Sequence, residues 1–381
     1  MDRAAIIGVG MTKIEKRKIG QTFADMAWEA VNKALNDAGM TIDDIDNVIT
    51  TSSDFWDGRT ISLMAVGDVS GAATKNTSCV EGDGTYGAFY GMTRALSGSY
   101  KTTLVTAHTK GSESVSSLIT NSAFDPIYER GLGMDMITAC AMQANAYMKR
   151  TGLKPEDMAL VSVKNHGNAF KNPIAQIPMN ITVDDVLKSE MIADPLRKLD
   201  CSPVSDGCAA VIIAHESMAD KFKQKPVWVR GVSFCADSFF FGDRDLARSN
   251  ALAEAAKAAY KMAGIKDPKK EIDVVELYDA FTYQELLWLE EMGLAEYGKA
   301  IKLLKAGEFN MDGPLPVNPS GGLLAGHPVI AAGLYRIAEI VMQLRGEAGK
   351  HQVKKAKTGL AHGVNGLCGQ SHCVWILDKE R

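Results

Sequence analysis

No two cysteines in this chain stand two residues apart, and the total of seven, at 79, 140, 201, 208, 235, 368 and 373, is odd. That pattern argues against both a disulfide framework and a cysteine zinc site and points to free thiols. No apolar run reaches the roughly 18 residues of a transmembrane helix. Basic residues are not in excess, with 42 Lys and Arg against 46 Asp and Glu and a formal charge of −4, so the basic face that nucleic-acid binding needs is missing. The glycine loops at 8–10 and 82–84 lack the complete Gly-x-Gly-x-x-Gly with a following acidic residue, which argues against a nicotinamide site. The opening Met1-Asp-Arg-Ala-Ala-Ile-Ile-Gly-Val-Gly10 has too short an apolar core for a signal peptide, so a cytoplasmic protein is expected.

What is present is enough for two packed domains of about 150 residues each plus an insertion. Apolar residues make up 46% and charged residues 23%, the balance of an ordinary globular chain. Residues 4–10 suit a buried strand. Phe23, Met26, Ala27, Ala30, Val31, Ala34, Leu35 and Ala38 then recur at helical spacing, with Gly39 as the stop, and Val48–Thr51 reads as the next strand. The phrase returns as Leu252, Ala255, Ala256, Ala259 and Ala263, Gly264 as the stop, and a strand over Ile272–Leu277. A second pair of phrases, Asn76–Arg94 and Asn318–Arg336, matches at Asn76/Asn318, Ser78/Ser320, Gly91/Gly333 and Arg94/Arg336 at one constant offset. Two phrases repeated in the same order predict a duplicated α/β fold, with small residues on both helices allowing tight contacts.

The boundaries drawn are 1–109 for the N-terminal half, 110–225 for an inserted loop domain with the last strands of that half, and 226–381 for the C-terminal half. Within the insertion, Met134–Lys149 reads as a helix, Leu160–Val163 as a strand, 164–173 as a polar loop, and Ala209–Ala214 as a strand. Val374–Leu377 reads as the closing strand.

Cys79 precedes a glycine-rich run into a helix, and a sulfur near a helix N-terminus gains thiolate character; a buried structural cysteine is the alternative. His327, in Gly-Gly-Leu-Leu-Ala-Gly-His-Pro, has glycines that let a ligand approach the backbone, against the alternative of a satisfied core histidine. His362 and Cys368 sit in a second glycine-rich turn, 361–369, and either is a candidate acid/base. Tyr278-Asp-Ala-Phe281 follows the strand of the second repeat, at the kind of strand-to-helix corner where α/β folds place function, though an aromatic there also serves packing.

These residues resemble the thiolase superfamily over essentially the whole chain. Cys79-Val-Glu-Gly82 looks like its Cys-x-x-Gly nucleophile motif, and Asn318-Pro-Ser-Gly-Gly-Leu-Leu-Ala-Gly-His-Pro328 is close to its Asn-Pro-x-Gly-Gly…Gly-His-Pro signature. The insertion is similar to the sterol-carrier-protein-like and archaeal branch. The resemblance implies two α/β halves layered α-β-α-β-α with an inserted loop domain. It also implies CoA-dependent cleavage of a 3-oxoacyl-CoA through a Cys79 acyl-enzyme. His327 would then activate the thiol, Cys368 or else His362 would be the second acid/base, and Tyr278, Phe281, Gly326 and Gly369 would shape the oxyanion and substrate pocket. Coenzyme A is implied as co-substrate, with no permanently bound cofactor and no metal. The implied assembly is a homodimer or dimer of dimers, with a small zinc-ribbon/OB-fold partner subunit possible in that branch.

Tyr278 and Gly-Leu-Cys-Gly-Gln depart from the common patterns, and a bulky aromatic substrate such as benzoylsuccinyl-CoA, giving benzoyl-CoA and succinyl-CoA, would fit the altered corner. Acetoacetyl-CoA synthesis and a non-catalytic acyl-CoA-binding or scaffold subunit are the rival readings.

Overall fold

The computed structural model describes residues 2–380. The N-terminal half runs β1 (Ala4–Met11), α1 (Phe23–Ala38), β2 (Asn47–Thr51), α2 (Asp54–Asp57), α3 (Ser62–Gly67), β3 (Asn76–Val80), α4 (Gly84–Leu96) and β4 (Thr102–Lys110). The insertion follows as α5 (Ser116–Ser122), α6 (Met136–Thr151), α7 (Pro155–Ala169), α8 (Val183–Lys188) and the small pair β5 (Met191–Ala193) and β6 (Leu196–Arg197). After it β7 (Asp206–His215) returns to the main sheet. The C-terminal half is β8 (Val227–Ala236), α9 (Asn250–Ala263), α10 (Pro268–Glu271), β9 (Val274–Glu276), α11 (Thr282–Glu291), α12 (Ala300–Lys305), α13 (Ala332–Arg345), β10 (Thr358–Asn365) and β11 (Ser371–Asp378).

The duplication is visible in the strand order, β3-β2-β4-β7-β1-β8-β11-β10-β9. Reading outward from the β1/β8 junction, where Ala5 faces Trp228, β7 answers to β11, β4 to β10 and β2 to β9. Helices α1 and α9 cover the outer faces, and α4 and α13 pack side by side between the half-sheets. The result is the α-β-α-β-α layering expected. The first repeated phrase holds in detail: Gly39 and Gly264 are both left-handed stops, at φ 68° and 72°. Its alanines matter because the strands beneath carry glycine. A Cβ on Gly10 would lie 2.1 Å from the Ala30 carbonyl, and one on Gly231 would lie 2.2 Å from that of Ala259. Each outer helix therefore rests directly on its sheet.

The second repeated phrase does not align as read. Gly91 lies in the third turn of α4, whereas Gly333 is in the first turn of α13, because the loop before α13 is longer. The strand expected at Leu160–Val163 is also corrected. These residues, with Lys164–Ala169, belong to α7, which starts on Pro155 with Glu156 and Asp157 in its first turn. The side chain of Asp157 accepts the Lys154 amide at 3.0 Å, and Met158, Val161, Asn165 and Ala169 are buried at helical spacing. A Pro start and an acidic first turn outweigh a short β-branched run.

Candidate active site

A cavity of ≈ 560 Å³ opens where the loops of both halves meet the insertion. Glu81, Gly82 and Asp83 enter it from the β3–α4 loop, Tyr278 and Phe281 from the corner after β9, His327 from the loop before α13, and Cys368 and Gly369 from the β10–β11 turn. The insertion contributes α5, the start of α6 and residues 201–204, which are tied down by bridges from Cys201 to Phe281 and from Val204 to His327.

Tyr278 and His327 form the polar centre. The phenol oxygen and Nε2 are 2.8 Å apart, and Nδ1 lies 2.8 Å from Ser202 Oγ. Burial, with the Arg336 charge behind it, lowers the His327 pKa to about 3, so the ring is neutral at physiological pH. Burial likewise pushes the Tyr278 phenol well above its ordinary range. Two further contacts hold the pair: the His327 amide donates to Ser205 Oγ at 2.8 Å, and Trp288 Nε1 donates to the Tyr278 carbonyl at 3.0 Å. Beneath them Asp279 receives Leu323 N–H at 2.7 Å and Asn165 Nδ2 at 2.7 Å, fixing the Asn318–His327 loop. Burial and then the neighbouring Glu285 push the Asp279 carboxyl up to about 8.

His362 does not reach the cavity. It is buried inside β10, and its hydrogen bonds can be ordered from their ends. The Gly369 carbonyl only accepts, so His372 Nε2, 2.9 Å away, carries a proton and leaves Nδ1 as acceptor for His362 Nε2–H at 2.9 Å. His362 Nδ1 then accepts the Tyr278 amide at 3.3 Å. This histidine links two walls of the cavity, and burial, then its neighbour His372, pushes its pKa well down. It cannot meet substrate, so its expected acid/base role is corrected to a structural one.

Cys79 does not line the cavity either. It lies in β3 rather than at a helix start, and its exposed thiol is 3.4 Å from Ser52 Oγ. The α4 start is occupied by Gly84, where a Cβ would come within 2.6 Å of Leu334 Cβ, and by the cap Asp83. Gly326 packs against Ile14 and Gln176, outside the cavity wall. Cys368, Tyr278, Phe281, Gly369 and His327 are the expected residues brought together. Cys368 stands in a left-handed turn, φ 49°, with its thiol 3.3 Å from Gln143 Oε1 and 3.4 Å from the Cys140 sulfur. Burial pushes the other cavity thiols up, Cys201 to about 12, and Cys140 likewise well above its ordinary value.

Two cavity residues escaped the sequence reading. Asp83 is fully buried, and burial pushes its carboxyl up to about 6 against the Thr85 and Gly333 donors that hold it down. The Gly-Asp-Gly before a helix was a usable capping signal for it. Ser202 had no local signal, since only the folded loop brings it to His327. Among the described residues no cluster of three His, Cys, Asp or Glu is arranged to hold a metal, and no helix is long and apolar enough to cross a membrane.

The fold and site find their counterparts among known proteins. The family model described as thiolase C-terminal domain-like matches residues 235–379. Acetyl-CoA acetyltransferase of Methanothermobacter thermautotrophicus is 37% identical over 97% of this chain and 98% of its own. Benzoylsuccinyl-CoA thiolase subunit BbsB of Thauera aromatica is 34% identical over 62% of each. Among solved structures, the Ltp2-ChsH2(DUF35) aldolase superposes with a TM-score of 0.86 at 25% identity, covering 100% of this chain and 98% of that one. The chain belongs to the thiolase superfamily of acyltransferase enzymes.

Proposed function

We propose that the cavity makes or breaks the carbon–carbon bond between C2 and C3 of an acyl-CoA, with Tyr278 and His327 serving the C3 oxygen and Cys368 exchanging a proton at C2. The observation that carries this is the 2.8 Å Tyr278–His327 contact inside a cavity whose helix start holds no sulfur. In the thiolase form of the reaction, the thiol of coenzyme A attacks the C3 ketone of a 3-oxoacyl-CoA directly. Tyr278 gives its proton to the C3 oxygen as the sulfur adds and takes it back as the C2–C3 bond breaks, while the departing enolate takes a proton from Cys368 and the proton released by the coenzyme A thiol returns to the Cys368 sulfur. Phe55, Trp56, Met136 and Phe281 give the cavity an apolar, aromatic wall, which supports a bulky acyl group such as that of benzoylsuccinyl-CoA.

A second reading is favoured by the same lack of a nucleophile. If C3 carries a hydroxyl, its proton passes to Tyr278, a carbonyl forms at C3, and the thioester enolate is protonated at C2, all without added coenzyme A. The likeness to a structure described as an aldolase supports it. Incubation with benzoylsuccinyl-CoA, acetoacetyl-CoA and a 3-hydroxyacyl-CoA, each with and without free coenzyme A, separates the two by their products. An acyl adduct on the Cys79 peptide in mass spectrometry would sink both.

The free edge of β3, with Asn76, Thr77 and Cys79 exposed, supports a strand-to-strand homodimer. The name of the aldolase complex supports a small partner subunit. Sedimentation of the chain alone, and with such a subunit, tests both assemblies.

A further inference from the structure

We infer that Ser202, His327 and Tyr278 form a three-link proton relay, in which Ser202 is a positioning residue that lets the imidazole pass a proton without becoming charged. The inference rests on the proposed role of Tyr278 at the C3 oxygen. It begins from an obstacle in that role: a phenol that exchanges a proton with substrate needs somewhere to send its own. His327 Nε2, 2.8 Å away, is the group in place to take it. Yet the ring is buried, with the Arg336 guanidinium nearby, and an imidazolium there is strongly disfavoured.

Ser202 removes the obstacle. Its Oγ is 2.8 Å from Nδ1, on the opposite edge of the ring, and the residue itself lines the cavity. Its loop is held independently of the ring, since the Ser202 amide donates to the Ala280 carbonyl at 2.8 Å. Of the two hydroxyls the phenol is the stronger acid, so in the resting state Tyr278 O–H donates to Nε2 and Nδ1–H donates to Ser202 Oγ. When substrate gives a proton to the Tyr278 oxygen, the phenol proton moves to Nε2. The Nδ1 proton moves to Ser202 Oγ, and the serine proton leaves to water in the cavity. Each atom ends with the valence it began with, and the ring has exchanged one neutral tautomer for the other. Proton donation to substrate runs the same steps backwards.

Ser202→Ala leaves Nδ1 with no hydroxyl to receive its proton. With whichever of acetoacetyl-CoA, benzoylsuccinyl-CoA or a 3-hydroxyacyl-CoA the wild type turns over, kcat should fall roughly 10- to 100-fold while KM changes little. The solvent deuterium isotope effect should change from one needing several protons in flight to one needing a single proton. Ser202→Thr, which restores the hydroxyl, should recover most of the rate. A second arm needs no activity: NMR of histidine labelled with heavy nitrogen, the His327 signal being assigned by its loss in His327→Gln. Exchange of the Nδ1 proton with solvent should slow in Ser202→Ala and recover in Ser202→Thr. Unchanged exchange in Ser202→Ala, or an equal rate loss in Ala and Thr variants, overturns the relay. If the wild type acts on none of the three thioesters, the proposed function fails and the exchange measurement alone decides the relay.

Discussion

The carboxylate of Asp83 accepts the Gly333 amide at 2.7 Å on one oxygen and the Thr85 amide at 3.0 Å on the other. One side chain thus caps the first turns of both central helices, α4 from the N-terminal half and α13 from the C-terminal half. Asp83→Ala leaves these two buried N–H groups without their acceptor, at about 1–3 kcal/mol for each. The variant should lose about 2–4 kcal/mol of stability, read from the urea midpoint at constant slope. Asp83→Asn keeps one acceptor oxygen and should lose less; an Ala variant as stable as wild type would mean that the two helices do not depend on this cap.

Tyr278→Phe removes only a hydroxyl from a side chain that is packed edge-on against His327, so the fold should be kept. Turnover should fall by about 10²–10⁴ if the phenol handles the proton at C3. Because Tyr278 and His327 act as one unit, the double variant Tyr278→Phe/His327→Gln should be little worse than either single one. Multiplying losses, measured as kcat/KM, would show that the two residues act separately.

Local patterns carried the reading of the fold further than the reading of the site. The α1 and α9 faces, their glycine stops and the strand at Ala209–Ala214 are each set by neighbours along the chain, so periodicity finds them. The Asn318–His327 loop was legible for the same reason, its glycines and Pro328 being contiguous. Convergence across the chain was not legible. Cys79 and the helix start are separated by Val80–Asp83, enough for the strand to end and the loop to turn into the cavity before α4 begins. His362 stands in an alternation that places it inside the sheet, which a glycine-rich reading of 361–369 concealed. Ser202 lies 125 positions from the ring it touches.

The placement of Cys79 gives a direct test. Cys79→Ser should keep turnover within about twofold of wild type, the ordinary range for a surface change away from a site. Iodoacetamide should label Cys79 of the wild type at the same rate with and without acyl-CoA. Labelling of Cys368, by contrast, should be slow and should be blocked by acyl-CoA, since that sulfur is reached only through the cavity. A dead Cys79→Ser enzyme would place the nucleophile where the motif put it and not where the loop does.

Four buried histidines each contribute stability that acid removes. Burial holds His327 and His372 to about 3, and lowers His362 and His166 as well. In the unfolded chain each titrates near 6.5, so between that pH and the native values the unfolded state binds protons that the native state refuses. Stability contributed by these groups is present above about pH 6.5 and is lost as pH falls, at up to about 1.4 kcal/mol per pH unit for each. His351 runs the other way: despite its burial, the Glu339 carboxylate 2.8 Å from Nε2 raises its pKa, so its contribution is present at low pH and fades as pH rises. The buried carboxyls act with His351: Asp279, pushed up to about 8, and Asp83, pushed up to about 6, keep protons in the native state that the unfolded chain has released, so the histidine share is read as the difference between wild type and a histidine variant. Between pH 7 and pH 5 the urea-derived stability of His327→Gln should gain on that of wild type by one histidine's share, because glutamine has no proton to gain on unfolding. A constant difference between the two proteins would mean that His327 is protonated in the native protein over this range, and that the neutral ring required at the centre of the cavity is not its resting form.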